Sequence, residues 1–220
     1  MRRLSAVTEL GLFPLGLVLF PTERIPLHIF EPRYRELVDE CVAEDGEFGI
    51  VLEADGGVHE VGTRARVTRV LEVFDDGRMN IIVEGGERFR IMELTSGRPF
   101  QTAEVDPVED DDDPPAKEDV ERVLTLYREL VRRTESMAEE PDPASADFSF
   151  DLGARIDFGD ELKQELLELR SPRERIERMV ELLEAVLEAV RAEQVVKDRA
   201  QGNGKVSALG GGGTTPPPAP

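Results

Sequence analysis

The chain has 220 residues, which is enough for one or two domains with a sizeable apolar core. It carries 47 acidic and 27 basic residues, and its formal net charge is -20. This charge disfavours binding to nucleic acid, because phosphates would be repelled and no basic stripe offsets the repulsion. With the single cysteine Cys41 and no evident export signal, we expect a reducing, cytoplasmic location.

The segment from residue 8 to residue 106 is predicted to form a β-rich lobe with one helix. The predicted strands are Leu10–Phe13, Leu17–Phe20, Pro26–Phe30, Phe48–Leu52, Val61–Phe74, Met79–Val83, Phe89–Leu94 and Phe100–Val105. The helix begins near Pro32 and ends at Asp45–Gly46, and its apolar residues recur three and four positions apart. Many short strands joined by regular turns predict a small barrel or a barrel-like sheet.

Three local features refine this β-rich lobe. Asp75–Gly77 predicts a hairpin with a type I′ turn, since Asp-Gly suits the positive φ angles of that turn. The alternation of apolar and polar residues slips near Arg69–Val70, which predicts a β-bulge. Gly85–Gly86 is interpreted as a further turn between two strands.

Residues 107–116 are predicted to be an acidic, proline-rich linker. Asp110–Asp113 are four consecutive aspartates, and prolines flank them on both sides. A calcium site is an alternative, but the run lacks the alternating ligands and the glycine of a calcium loop. We therefore interpret the run as solvated charge.

Residues 117–200 are predicted to form a helical lobe. The predicted helices are Lys117–Ala138, Phe148–Ile156, Asp160–Leu169 and a long helix from Ser171 to about Arg199. Ser171 and Glu174 flank Pro172 in the pattern of a capping box, which marks the start of the long helix. Residues 201–220, rich in glycine and proline, are predicted to be a disordered tail.

The sequence contains few residues that suggest chemistry. His28 lies among apolar residues and is predicted to be packed or hydrogen-bonded, while His59 lies in a loop without an obvious partner. Cys41 falls on a buried helix stripe, and no Cys/His spacing is typical of a metal site. Gly202–Ser207 departs from the phosphate-loop pattern, because valine follows the lysine. We predict no catalytic residue, no metal and no cofactor.

The order of several short blocks resembles the N-terminal substrate-binding domain of Lon proteases. These blocks are Phe13–Leu15, Leu19–Pro21, Ile25–Tyr34, Phe48–Val51, Val61–Thr63, Asp76–Arg78, Val83–Gly85, Arg88–Ile91, Leu162–Glu168 and Arg173–Ile176. The resemblance covers about residues 8 to 190. It implies an α+β fold, with a PUA-like β-barrel lobe followed by a C-terminal helical lobe, and a role in engaging unfolded or tagged polypeptides.

The sequence has no counterpart of the ATPase and Ser–Lys peptidase modules of Lon proteases, so we expect a standalone, non-enzymatic protein. The leading hypothesis is a polypeptide-binding module or an adaptor in protein quality control, with a protease as a further possible partner. The candidate peptide-binding residues are Leu15, Leu17, Val18 and Ile25, with packing in the barrel core as the alternative. Other hypotheses are a scaffold that self-associates through the long helix, and a PUA-like small-molecule or RNA binder, which the charge disfavours.

Overall fold

The computed structural model describes residues 8–54, 56–134 and 139–203, with side-chain positions through residue 192. The strands are β1 (Thr8–Leu15), β2 (Arg24–Ile29), β3 (Phe48–Ala54), β4 (Gly57–Val58), β5 (Val61–Val73), β6 (Met79–Thr95) and β7 (Thr102–Pro107). The helices are α1 (Pro32–Glu44), α2 (Lys117–Thr134), α3 (Phe148–Gly153), α4 (Asp160–Glu168) and α5 (Pro172–Asn203). The chain is therefore an α+β protein with its strands before its main helical part.

The strands form one sheet in the order β1-β7-β6-β5-β3-β4, and β1 also pairs in parallel with β3. This extra pairing joins the two sides of the sheet, so that β1, β7, β6, β5 and β3 close into a barrel. All other neighbouring strands run antiparallel. Strand β2 lies off this path and pairs antiparallel with the first half of β6.

The glycine pair in β6 does not turn the chain, so the prediction of a turn there was wrong. Gly85 is part of a continuous strand, because its NH donates to the Glu23 carbonyl (2.9 Å) and its carbonyl accepts from the Thr22 NH (2.8 Å). A side chain at Gly85 would overlap the carbonyl oxygen of Phe20. Glycine is therefore required by the close approach of another backbone segment rather than by a turn.

The predicted hairpin at Asp75–Gly77 is present, but its turn is of another type. Only Gly77 has a positive φ angle, of 80°, whereas a type I′ turn needs two such residues. Its NH donates to the Phe74 carbonyl (2.8 Å), and the Phe74 NH donates to the Arg78 carbonyl (2.8 Å). These contacts are typical of a three-residue loop that ends in a glycine.

The predicted bulge in β5 is confirmed in position and is accompanied by others. The β5–β6 register shifts between Val67 and Arg69 and again between Val70 and Glu72, on either side of the predicted site. A third shift lies earlier in the strand, beside Ala65. These irregularities bend a long strand, which lets it serve both the closed barrel and the hairpin beyond it.

The run Leu17–Phe20 is not a strand, contrary to its prediction, although Val18, Leu19 and Phe20 are buried. Strand β1 instead continues through Pro14 to Leu15. Val18 and Phe20 belong to the same apolar cluster as the helical residues Tyr127, Leu166 and Met179. The run is apolar because it lies between the barrel and the helices, and a short apolar run does not by itself distinguish a strand from a buried loop.

The two lobes are joined by one continuous apolar core. Its barrel members are Val18, Phe20, Leu52 and Val61, and its helical members are Val123, Leu124, Tyr127, Phe148, Phe150, Leu152, Ile156, Leu166, Leu167, Ile176, Met179, Val180, Leu182 and Leu183. A second cluster fills the barrel beneath α1, where Tyr34, Leu37, Val38 and Cys41 are buried. Shared burial of this kind favours cooperative unfolding of both lobes.

The helices follow the predicted order. Helix α2 was predicted to reach residue 138, but residues 135–138 lie outside the described residues. Helix α5 starts after Ser171, whose hydroxyl accepts a hydrogen bond from the Glu174 NH (3.0 Å), as the capping pattern predicts. Of the tail predicted over 201–220, residues 204–220 likewise lie outside the described range.

The acidic segment predicted to be solvated charge is bound to the helical lobe. The Asp111 NH donates to the Arg170 carbonyl (2.8 Å), and the Arg173 NH donates to the Asp113 carbonyl (3.1 Å). The Arg173 guanidinium also contacts the Asp113 carboxylate (3.0 Å), while Asp110 binds arginines from both lobes. The aspartates thus serve as partners for arginines that lie far away in the sequence.

Candidate functional site

The structure places the four residues predicted to bind peptide in two different environments. Leu15, Leu17 and Ile25 are half-buried at the margin of the barrel cluster. Val18 has only 3% of its surface exposed, and it packs in the core between the lobes. In this conformation Val18 contributes to the core, so only the other three present apolar surface to solvent.

The register of the sheet brings further apolar residues onto the same face. Residues paired across neighbouring strands have their side chains on one side of a sheet. The paired rows across β2, β6 and β5 are Ile25–Val83–Val67, Leu27–Ile81–Val70 and Ile29–Met79–Val73. Leu15 and Leu17, which precede β2, pack against the same cluster as Ile25, Leu27 and Val67. We define the apolar face as these two residues together with the partly or largely exposed members of the rows, namely Leu15, Leu17, Ile25, Leu27, Val67, Val70 and Val73.

Exposure increases along the paired rows from the central strand β6 to the end of β5. Ile81 and Val83, on the central strand, are fully buried, whereas Val70 is 41% and Val73 is 63% exposed. A buried base continuous with exposed aliphatic side chains gives a surface that can bury further apolar groups. Val70 and Val73 were not predicted to contribute to a binding surface, although the alternation of apolar and polar residues along β5 indicates that they share a face with Val67.

The free edge of β2 is less suited to accept another strand. Strand β2 pairs with β6 on one side, and the described strands leave its other edge without a partner. Pro26 lies in the middle of β2 and has no NH to donate. Proline in an edge strand limits the addition of a further strand, so this part of the surface offers side-chain contacts more readily than backbone pairing.

The opposite side of β2 carries an aromatic cluster. The His28 ring stacks on Phe30 and lies edge-on to Phe74, with a centroid separation of 6.1 Å in each case. Its Nδ1 lies 2.7 Å from Asn80 Oδ1, which agrees with the prediction of a hydrogen-bonded strand histidine. His59, which had no predicted partner, lies 3.5 Å from the Glu168 carboxylate.

The lobes are fixed to each other by two buried arginines that share one carboxylate. Arg88 from β6 and Arg175 from α5 both pair with Asp110, Arg175 at 2.6 Å. Both also donate to the carbonyl of Leu169, at 2.8 Å and 2.7 Å. The Phe150 ring lies 5.1 Å from the Arg88 guanidinium and 3.7 Å from that of Arg175. The junction thus holds the barrel and the helical lobe in one arrangement.

The charges at this junction stabilise the contact between the lobes, because Arg88 remains protonated and both arginines are paired with Asp110. Burial, followed by the charge of Arg175, lowers the pKa of Arg88 to about 10, and Asp110 opposes this effect. Arg88 therefore stays protonated near neutral pH and keeps its partners. Sequence analysis did not find this group, because no local spacing links the three residues.

The described part of the chain contains no cluster of metal-binding side chains of the kind that would hold an ion. Asp110, Asp111 and Asp113, weighed above as a calcium site, are paired with arginines. Among the same residues no helix combines the length and apolar character needed to cross a membrane.

Comparison with known proteins agrees with the fold. A family model described as the ATP-dependent protease La (LON) substrate-binding domain matches residues 9–185. The chain belongs to this family.

Related proteins and structures share the same region. Lon protease 2 of Myxococcus xanthus is 28% identical over 211 residues, which are 84% of this chain and 24% of that protein. The crystal structure of a Lon N-terminal domain protein from Xanthomonas campestris has a TM-score of 0.64 and 28% identity, and the match covers 79% of this chain and 98% of that one. The N-terminal domain of Mycobacterium avium complex Lon protease has a TM-score of 0.63 at 17% identity, covering 80% and 98%, and so supports the fold.

The match is confined to one part of the curated relatives. The chain spans about a quarter of the length of the Lon proteases it resembles. What is found in it is the substrate-binding domain, and the family model does not include a catalytic domain.

Proposed function

We propose that this protein binds exposed apolar segments of unfolded polypeptides through the apolar face, as a non-catalytic, cytoplasmic module in protein quality control. The observation that carries the proposal is the set of aliphatic side chains that continue from the buried barrel core to the surface along β2 and β5. Membership of a substrate-binding domain family supports the same function. We also propose that the barrel is related to PUA-like barrels and that the protein associates with a protease.

Binding to this face follows from the physical properties of its side chains. Aliphatic groups that are half-exposed in the free protein gain by burial against an apolar segment of a client, at about 25 cal/mol for each Å² removed from water. Such contacts do not depend on a particular sequence, which suits a protein that meets many unfolded chains. The acidic surface elsewhere limits non-specific association with anionic partners.

Replacing Ile25 and Val73 together with threonine is expected to weaken binding of an unfolded polypeptide about tenfold, because apolar contact area is lost at two points. The probe is a fluorescently labelled, reduced and carboxymethylated protein, and the measurement is fluorescence anisotropy. Threonine retains the β-branched shape that suits strands, so the sheet is expected to be maintained.

The matched control is the double change Met92→Thr and Leu94→Thr. These residues are also exposed and also lie on a strand, but at the far end of β6. The control is expected to bind as the unchanged protein does. Equal weakening in both variants, or no binding by the unchanged protein at about 50 μM, would contradict the proposal.

A further inference from the structure

A cleft opens between the lobes where β6 lacks a neighbouring strand on one edge. On this edge β6 pairs with β2 over Met79–Glu84 and with β7 over Phe89–Thr95. Gly85 also bonds to Thr22 and Glu23, and the Arg88 carbonyl accepts from the Val108 NH, so the gap between the two neighbours is at residues 86–87. Strand β5 occupies the other edge. We name the resulting space the interlobe cleft, and its volume is about 540 Å³. This is within the range of small-ligand and side-chain pockets.

The walls of the interlobe cleft are largely apolar. Pro21 precedes β2, Pro107 ends β7 and Val108 follows it, and Phe150 comes from α3 in the helical lobe. These groups come from both lobes, so the shape of the cleft depends on the arginine junction that fixes the lobes. An elongated side chain with an aliphatic stem would find apolar contacts along these walls.

The polar groups of the cleft are mainly acidic. The side chains of Glu87, Glu109 and Asp147 line it, and within the described part of the chain none of these carboxylates has a hydrogen bond or an ion pair. Arg88 also lines it, but its guanidinium is engaged by Asp110 and by two backbone carbonyls. The cleft therefore carries a net negative charge, which the nearby Arg175 offsets only in part.

The environment of Asp147 agrees with this electrostatic picture. Burial, followed by the nearby charges of Asp151 and Asp110, raises the pKa of Asp147, and the charge of Arg175 opposes this effect. A positive charge in the cleft would lower that pKa and relieve the repulsion among the carboxylates. An anionic ligand would instead add to the repulsion.

We propose that the interlobe cleft receives a lysine or arginine side chain of the bound polypeptide, with its aliphatic stem against the apolar walls and its charge beside the unpaired carboxylates. The inference rests on the proposed polypeptide binding. Charge complementarity favours this occupant, since three unpaired carboxylates surround an apolar space that is open to solvent. The cleft gives the protein a means of preferring clients that have a basic residue near an apolar segment.

The distance between the cleft and the apolar face determines how far apart the basic residue and the apolar residues of a client should be. Thr22 lines the cleft, and Ile25 of the apolar face lies three residues further along the chain. Three extended residues span about 10 Å. A client with a basic residue three to five positions from its apolar residues would reach both places.

The test uses two synthetic peptides with the same apolar segment, one with lysine and the other with norleucine four positions away. Their affinities for the full chain are measured by anisotropy at low salt. The lysine peptide is expected to bind about tenfold more tightly, since a partly desolvated ion pair adds to the apolar contacts. In the variant with Glu87→Gln and Asp147→Asn, the two peptides are expected to bind alike.

The control for this test is the variant with Glu36→Gln and Glu104→Gln, which removes the same number of charges from exposed positions outside the cleft. It is expected to keep the preference for lysine. Asp147 makes no side-chain cap to α3, so its change to asparagine is not expected to unfold the helix. Equal binding of both peptides by the unchanged protein would overturn the inference and leave the proposed function standing, whereas failure of both to bind would overturn the two together.

Discussion

Replacing Arg175 with alanine should lower the free energy of unfolding by about 3–5 kcal/mol, the range measured when one partner of a buried ion pair is removed. The Arg175 side chain is fully buried and donates to Asp110, to the Ser149 hydroxyl (2.7 Å) and to the Leu169 carbonyl (2.7 Å). Its loss leaves these acceptors and Arg88 with an incomplete set of partners at a largely buried junction. Chemical denaturation followed by circular dichroism measures the change.

The matched control for this prediction lies two residues away on the same helix. Arg173 also pairs with an aspartate, Asp113, at 3.0 Å, but its side chain is 47% exposed. Its change to alanine should lower the free energy of unfolding far less than the change at Arg175, because exposed pairs are weakened by solvent. If both variants lost stability equally, the junction would not have the structural role assigned to it.

Replacing Phe20 with alanine should lower the free energy of unfolding by about 3–5 kcal/mol, the usual effect of truncating a buried phenylalanine. Phe20 follows β1 in the chain, yet its ring contacts the helical lobe. Its centroid lies 5.6 Å from that of Phe150, and Lys163 Nζ lies 5.0 Å from it. Removing the ring would leave a cavity between the lobes, where neither side can collapse easily.

The control is the change of Phe20 to leucine, which keeps most of the side-chain volume. It should lower the free energy of unfolding by less than about 1.5 kcal/mol. Denaturation monitored by two probes, one for strand and one for helix content, also tests whether the lobes unfold together. Coincident transitions are expected in the unchanged protein, because the core is shared. A small effect of the alanine change would mean that the lobes do not depend on Phe20.

The alternation and turn residues of the sequence predicted most of the strands and the barrel character of the first lobe. The error at Gly85–Gly86 arose because glycine was interpreted as a turn, when the backbone of Phe20 requires it inside a long strand. Such a contact joins segments that are distant in the sequence. The pattern of neighbouring residues therefore cannot predict this contact.

The candidate site was predictable only in part, for the same reason. Leu15, Leu17 and Ile25 lie at the surface margin of the barrel, but Val18 is directed into the core between the lobes. All four are aliphatic residues in one proline-rich block, and only the position of the helical lobe separates their environments. Likewise, no local pattern distinguishes Asp110 from the three aspartates that follow it, whereas the structure places Arg88 and Arg175 beside it.

The most direct test of polypeptide binding at the apolar face is site-specific photocrosslinking. A photoreactive amino acid is placed at Val73, on the apolar face, or at Met92, which is exposed to a similar extent elsewhere on the barrel. With an unfolded, reduced and carboxymethylated protein as the probe, we expect crosslinking from position 73 that excess unlabelled probe abolishes, and little from position 92. Equal crosslinking from both positions, or crosslinking only from position 92, would contradict the location of binding proposed here.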